Sequence, residues 1–241
     1  MKPRAILFDL DDTLIDHSGT YQTCWQAAAE RAAAIFPDLT PEQFLEAKDE
    51  AARAYWDANH REGRLDLRMG RRRVVEATLE TLGLDTAHAA EIADLFHECR
   101  EGGYELLPGA VETLEALREA GIKLALVTNG ESLLQRSKLE RFELARHFDH
   151  IQIEGEFGLG KPDEEAYRAA LEALDVRPEE AWMIGDNLEW EVAAPQRVGI
   201  FSIWVDAAGN GLPAESDVKP DHIVRSVREL PQLLSVSAPR Q

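Results

Sequence analysis

The hydrophobic pattern changes period along the chain. Ala5, Ile6, Leu7 and Phe8 form a continuous apolar run, which predicts a strand buried on both faces, as in the middle of a parallel sheet. From about Ser18 to Gly102 the apolar residues recur three and four apart instead. Tyr21, Trp25, Ala28, Ala32, Ile35 and Phe36 make one helical stripe. Thr40, Pro41, Glu42 and Gln43 make a capping box with proline at the first helical position, opening a second helix through Phe44, Ala47, Ala51 and Tyr55. A third carries Val74, Val75, Thr78, Leu79 and Leu82 and stops at Gly83, and a fourth begins near Asp85 and uses Ala89, Ile92, Ala93 and Phe96. Four amphipathic helices with no strand between them predict a small bundle.

From Pro108 strands and helices alternate. A helix through Val111, Leu114 and Leu117 ends at Gly121, followed by a strand over 122–127, a helix over 131–141 and a strand over 150–153. A helix over 164–174, a strand over 182–184, a short helix and a strand over 200–205 complete the series. Such alternation implies a parallel sheet with right-handed crossovers, and the first apolar run belongs to it. The expected fold class is α/β, a doubly wound parallel sheet with an inserted helical bundle. Residues 1–16 and 106–241 would form the core and 17–105 the insertion, while 235–241 read as a frayed tail.

The candidate chemistry sits where predicted strands end, which is where open α/β sheets bind ligands. The first run leads into Asp9, Leu10, Asp11, Asp12 and Thr13. Asp9 and Asp11 are two apart, so in extended geometry both carboxylates leave on one side, close enough to share a divalent cation and a phosphate. The second core strand ends in Thr128, Asn129 and Gly130, a hydroxyl and an amide able to hold phosphate oxygens, or simply a helix N-cap. Lys161, in Gly160-Lys161-Pro162-Asp163, precedes a helix and is either a point charge for an anion or a solvated surface group. After the strand over 182–184 come Gly185, Asp186, Asn187, Leu188, Glu189, Trp190 and Glu191, whose carboxylates suit a metal.

These four stretches, in this order, resemble the four motifs of the haloacid dehalogenase-like hydrolase superfamily: DxDx(T/V), a Ser or Thr ending the second strand, a Lys before a helix, and GDxxxxD or its Glu variant. The resemblance covers the whole core, and the inserted bundle is similar to the cap that follows the first motif in this superfamily. It implies a sheet in order 5-4-1-2-3 and a Mg²⁺-dependent phosphomonoester hydrolase acting on a small phosphorylated metabolite. Under it Asp9 is the nucleophile and Asp11 the general acid and base. Thr13 supports the loop, Thr128, Asn129 and Lys161 hold the phosphoryl group, and Mg²⁺ is held by Asp9, Asp11 (through its carbonyl), Asp186 and Glu191. Asp11 argues against carbon–halogen cleavage, whose leaving halide needs no proton. A sugar phosphomutase on the same core, or a non-catalytic binding protein that keeps the fold, stay as alternatives. Two departures stand out: Glu191 occupies a position where Asp is commoner, and Pro195 falls in the short helix beyond, where it predicts a kink or an early end near Ala194.

Composition narrows the partners. With 26 Lys and Arg against 45 Asp and Glu, the formal charge is −19, which argues against nucleic acid and anionic membranes. Arg64, Arg68, Arg71, Arg72 and Arg73 are the one basic patch, either a grip for a second anionic group on the substrate or a solvated helix face. His17 could reach substrate or lie in a surface turn. No run approaches the roughly 18 apolar residues of a membrane span, and residues 1–8 do not read as a secretory leader. Cys24 and Cys99 are too few and too far apart for a disulfide framework or a zinc site, so a reducing cytoplasm is the expected compartment.

Overall fold

The computed structural model describes residues 2–236. The chain divides into two compact units, Met1–Asp16 with Leu106–Gln241, and His17–Glu105. Its strands are β1 (Ala5–Phe8), the two-residue β2 (Ile15–Asp16) and β3 (Glu105–Leu106), β4 (Lys123–Thr128), β5 (His150–Ile153), β6 (Ala181–Gly185), β7 (Phe201–Val205) and β8 (His222–Val224). Among the described residues no helix is long and apolar enough to cross a membrane.

In the first unit six parallel strands lie in the order β5-β4-β1-β6-β7-β8. All four residues of β1 are completely buried, as an unbroken apolar run requires when both faces of a strand are covered. Phe8, its last residue, pairs with Leu126 of β4 and Ile184 of β6. The strand ends that follow therefore lie side by side. Ala5, Leu7, Ala125, Val127 and Met183 pack with Tyr167, Ala170, Leu171 and Leu174 of helix Glu164–Leu174 on one face of the sheet. The expected order of five strands is present, but β8 extends the sheet beyond β7. Three residues with only Ile223 and Val224 apolar gave too little periodicity to read.

Pro195 does not end its helix. The turn Leu188–Ala193 is wound as a π-helix and passes into the α-turn Ala194–Arg197, so the helix changes type at Ala194. Proline sits at the start of the new turn, where the missing N–H costs least.

The second unit contains helices Tyr21–Ile35, Pro41–Ala58, Leu67–Thr81 and Ala89–Gly103, with the short helix His60–Leu65 between the second and third of these. The box at Thr40 forms as read: Gln43 N–H donates to Thr40 Oγ1 at 3.3 Å and Thr40 N–H donates to Gln43 Oε1 at 2.9 Å. Gly83 takes the left-handed conformation, φ 69°, just past the third helix. Cys24, Trp25, Ala28, Phe44, Val75, Leu79, Ile92 and Phe96 build its core.

Cys24 and Cys99 form a disulfide in this core, with Cα atoms 5.5 Å apart. Their 75-residue separation hid the pairing, because only the bundle brings their helices together. The cysteine-based expectation of a reducing compartment loses its support. Closing so long a loop should stabilise the bundle chiefly through the unfolded chain. Reduction, or Cys24→Ala with Cys99→Ala, is expected to cost about 2–4 kcal/mol, measured as a shift in the urea midpoint with and without dithiothreitol.

The basic patch is divided. Arg72 and Arg73 are exposed and pair with Glu76, and Arg68 is exposed with Asp94 at 3.9 Å. Arg71 is buried. His17 stacks on Tyr104, ring centroids 5.4 Å apart.

Candidate active site

Directly after β1 the chain turns tightly. Asp9 N–H donates to the Ile184 carbonyl (2.9 Å), and Leu14 and Ile15 N–H both return to the Leu10 carbonyl (2.9 and 3.1 Å). Asp12 closes the turn with φ 56°, a left-handed conformation that Asp tolerates better than most residues. Asp9 is thereby fixed at the strand end and nearly buried, 7% exposed, with the Thr13 hydroxyl 3.5 Å from its Oδ2.

Lys161 reaches the same point from before helix Glu164–Leu174. Its side chain is fully buried, with Nζ 2.5 Å from Asp9 Oδ1 and 2.8 Å from Glu191 Oε1. Asn129 fixes its backbone from both sides: Lys161 N–H donates to Asn129 Oδ1 (2.8 Å), and Asn129 Nδ2 donates to the Lys161 carbonyl (2.7 Å). Gly160 is required beside this clamp, since a Cβ there would come within 2.6 Å of Asn129 Oδ1 and 2.5 Å of Glu154 Cδ. Burial alone would lower the Lys161 pKa, but Asp9 and Glu191 outweigh it and hold the ammonium charged.

β6 ends in Gly185, where a Cβ would lie 2.1 Å from Glu191 Cγ and 3.0 Å from Asp9 Cβ. Only glycine lets those two carboxylates approach. Glu191 is buried and its Oε2 accepts from Asn187 N–H at 2.8 Å. Burial, with Asp9 adding to it, pushes its carboxyl up to about 7 against the pull of Lys161. Asp186 is pushed up to about 8 by burial and by the charges of Asp9, Glu191 and Asp12. Burial also raises Asp9, with Lys161 opposing and Asp11 adding. Asp9 and Glu191 thus share one ammonium, with Asp186 crowded against them.

Asp11 is held elsewhere. Lys138 Nζ donates to both its oxygens, at 2.7 and 2.8 Å, and Gln135 Nε2 lies 3.1 Å from Oδ2. The same Gln135 amide donates to Thr128 Oγ1 at 2.6 Å and to the Asn129 carbonyl at 3.0 Å. Gln135 and Lys138 are both buried and three apart on helix Ser132–Arg141, hence on one face. Sequence reasoning missed both. The one available signal is that same-face pair in the first turns after the Thr128-Asn129-Gly130 strand end.

Asp9, Thr13, Thr128, Asn129, Lys161, Asp186 and Glu191 therefore lie at adjacent strand ends, with Asp11 tied to Thr128 through Gln135. The carboxylates of Asp9, Asp186 and Glu191, expected to bind metal together with the Asp11 carbonyl, do not make a side-chain cage. Among the described residues no group of three or more His, Cys, Asp and Glu is arranged to hold a metal, because Glu191 is turned onto Lys161 and Asn187, and Asp11 onto Lys138. What is left is a set of hard oxygen donors with a deficit of positive charge, which fits a hard divalent cation bound by a few protein oxygens and water.

The chain matches the model of the haloacid dehalogenase-like hydrolases over residues 3–199. It is 35% identical to phosphoserine phosphatase of Thermus thermophilus, over 94% of this chain and 97% of that protein. It is 30% identical to ribulose-1,5-bisphosphate 5-phosphatase of Halopiger xanaduensis, over 96% and 99%. Among solved structures, a 2-haloacid dehalogenase from Pseudomonas syringae superposes with a TM-score of 0.68 at 26% identity, over 99% of this chain and 100% of that one. YfnB of Bacillus subtilis, bound to magnesium, superposes with a TM-score of 0.72 at 24% identity, over 97% and 99%. With its strand-end carboxylates gathered around one buried lysine and its sequence matched from residue 3 to residue 199, the chain belongs to the haloacid dehalogenase-like hydrolases.

Proposed function

We propose that this chain is a Mg²⁺-dependent phosphomonoesterase that acts on a small phosphorylated metabolite through an aspartyl-phosphate on Asp9. The observation that carries the reading is the separate holding of two carboxylates: Asp9 on Lys161 and Asp11 on Lys138 and Gln135. A hydrolase that expels a halide has no use for the second. One that expels an alkoxide needs an acid beside its nucleophile. The 2-haloacid dehalogenase likeness therefore supports the shared fold, and the phosphatase relatives support the chemistry.

In the first step an Asp9 oxygen attacks phosphorus as the bond to the ester oxygen breaks, and a proton that Asp11 takes up as the anionic ester arrives and offsets Lys138 passes to the departing alkoxide. In the second, Asp11, now a carboxylate, takes a proton from water as that water attacks phosphorus. The bond to Asp9 breaks and inorganic phosphate leaves. Thr128 and Asn129 present a hydroxyl and a backbone amide to the phosphoryl oxygens, while Lys161 offsets charge on Asp9. Asp9, Asp186 and the Asp11 carbonyl would hold Mg²⁺, which supplies charge neutralisation for the crowded carboxylates and the phosphoryl group. The helical unit 17–105 serves as the cap that selects the substrate.

Phosphate release from p-nitrophenyl phosphate and a panel of phosphorylated sugars, nucleotides and small acids tests the reading. Turnover with Mg²⁺ that stops with chelator is expected. No release from folded protein under any metal would contradict it. A sharper expectation concerns Lys138. Lys138→Met should slow hydrolysis of an alkyl phosphate by roughly 10²-fold, the contribution of a positioned acid, and slow p-nitrophenyl phosphate far less, because p-nitrophenolate leaves without a proton. Equal loss on both esters would show that Lys138 does not act through Asp11.

A further inference from the structure

The helical unit gathers positive charge inside itself, although the chain as a whole carries −19. Lys48, Arg71 and Arg100 are 3%, 7% and 1% exposed. They surround one aromatic cluster. Lys48 Nζ lies 5.9 Å from the centre of the Tyr21 ring and 5.0 Å from that of Trp25. The Arg100 guanidinium lies 5.5 Å from the Tyr21 ring centre and 5.6 Å from that of Tyr104. Arg71 lies 4.9 Å over Phe96, which stacks on Trp25 at 4.1 Å. Cation–π contacts offset part of the cost of burying such groups, but a buried charge ordinarily also finds a carboxylate. Lys48 has Asp49, itself mostly exposed, and Arg71 feels the charge of Glu101.

Among the described residues of this unit, the buried side-chain atoms without a hydrogen-bond partner include Trp25 Nε1, Arg100 Nε and Arg100 Nη2, while Arg100 Nη1 donates to Thr20 Oγ1 at 3.2 Å. The His97 ring, kept neutral by burial and by Arg71, turns Nδ1 to Arg71 Nη1 at 3.2 Å and leaves its proton on Nε2, which the Arg68 backbone attracts. The three open positions are all donors, two on a guanidinium and one on the Trp25 indole. A group that only accepts would satisfy them, and a group with negative charge would also neutralise the cations.

We propose that the helical unit contains an oxyanion site built on Arg71, Arg100 and Lys48 around Tyr21 and Trp25, which takes a carboxylate or phosphate group. Arginine forks match either oxyanion, and lysine adds charge. The source of that group is either a second acidic substituent on the substrate or a free small anion.

The test follows the Trp25 indole N–H by nuclear magnetic resonance in the full chain during titration with sulfate, its signal assigned by Trp25→Phe. A saturable shift with a midpoint on the order of 1 mM, weakened about tenfold in Arg100→Gln, is expected. A Trp25 signal that stays in place as sulfate rises to about 50 mM, well above that midpoint, in the unaltered chain overturns the proposal and does not depend on whether the variant folds. A kinetic arm identifies the source, and this arm rests on the phosphatase reading. Phosphoserine and phosphoethanolamine differ by one carboxylate. A substrate origin predicts that Arg100→Gln lowers the kcat/KM ratio of the first to the second by about tenfold. A free anion predicts an unchanged ratio beside the sulfate shift. If neither ester is hydrolysed the phosphatase reading fails, while the sulfate titration still decides the site.

Discussion

Asp9→Asn should abolish phosphate release while leaving the protein folded, with a loss of roughly 10⁴-fold or more, as for removal of an essential nucleophile. The carboxamide keeps the shape at the end of β1 and can keep the Asp9 N–H bond to the Ile184 carbonyl, which belongs to the backbone. What it removes is the anionic oxygen that would attack phosphorus. It also removes one of the negative charges crowded with Asp186 and Glu191, whose carboxyls Asp9 helps to push up. Lys161 loses one anionic partner but keeps Glu191 at 2.8 Å, so stability should change little and lost activity cannot be ascribed to unfolding. Phosphate release and a thermal melt on the same preparation check both statements. A variant that retains more than a small fraction of wild-type turnover would remove Asp9 from the nucleophile's role.

Lys161→Met should damage stability as well as activity. The ammonium is fully buried against Asp9 Oδ1 and Glu191 Oε1, and removing one partner from a buried ion pair costs about 3–5 kcal/mol because the charges left behind have no compensation. The loss should depend on pH. Glu191 already binds its proton more tightly in the folded chain, at about 7 against 4.5 ordinarily, and loss of Lys161 raises it further. Between those values the folded state holds protons that the unfolded state releases, so stability falls as pH rises. Urea midpoints in the absence of metal should show a larger deficit for Lys161→Met at pH 8 than at pH 5.5. An equal deficit at both would mean that the lysine matters through packing rather than charge.

The catalytic half of the fold was legible because its signals are local. Ala5 to Phe8 announced a central strand, and the carboxylates after it marked the ligand-binding end. Lys161 and Glu191 were also found in sequence, although they meet at Asp9 only because β1 lies between β6, which Glu191 follows, and β4, whose following Asn129 clamps Lys161. Long-range geometry hid the rest. Gln135 and Lys138 meet Asp11 from 124 and 127 residues away, and on their own helix they look like surface residues. Arg71 looked like its neighbours Arg72 and Arg73, yet it faces the bundle interior while they face Glu76. Cys24 and Cys99 had a faint signal: Cys24 shares a helical face with Ala28, and Cys99 with Phe96, both residues of the bundle core. Two cysteines judged by number and by separation along the chain could not reveal it.

The measurement that bears most directly on an aspartyl-phosphate mechanism is trapping. The protein is mixed with a radiolabelled phosphomonoester and Mg²⁺, quenched in acid within the first turnover, and digested for peptide mapping. Label on the peptide that carries Asp9, and none in Asp9→Asn, is expected. Phosphate released at full rate with no labelled protein at any quench time, or label on another residue, would contradict it.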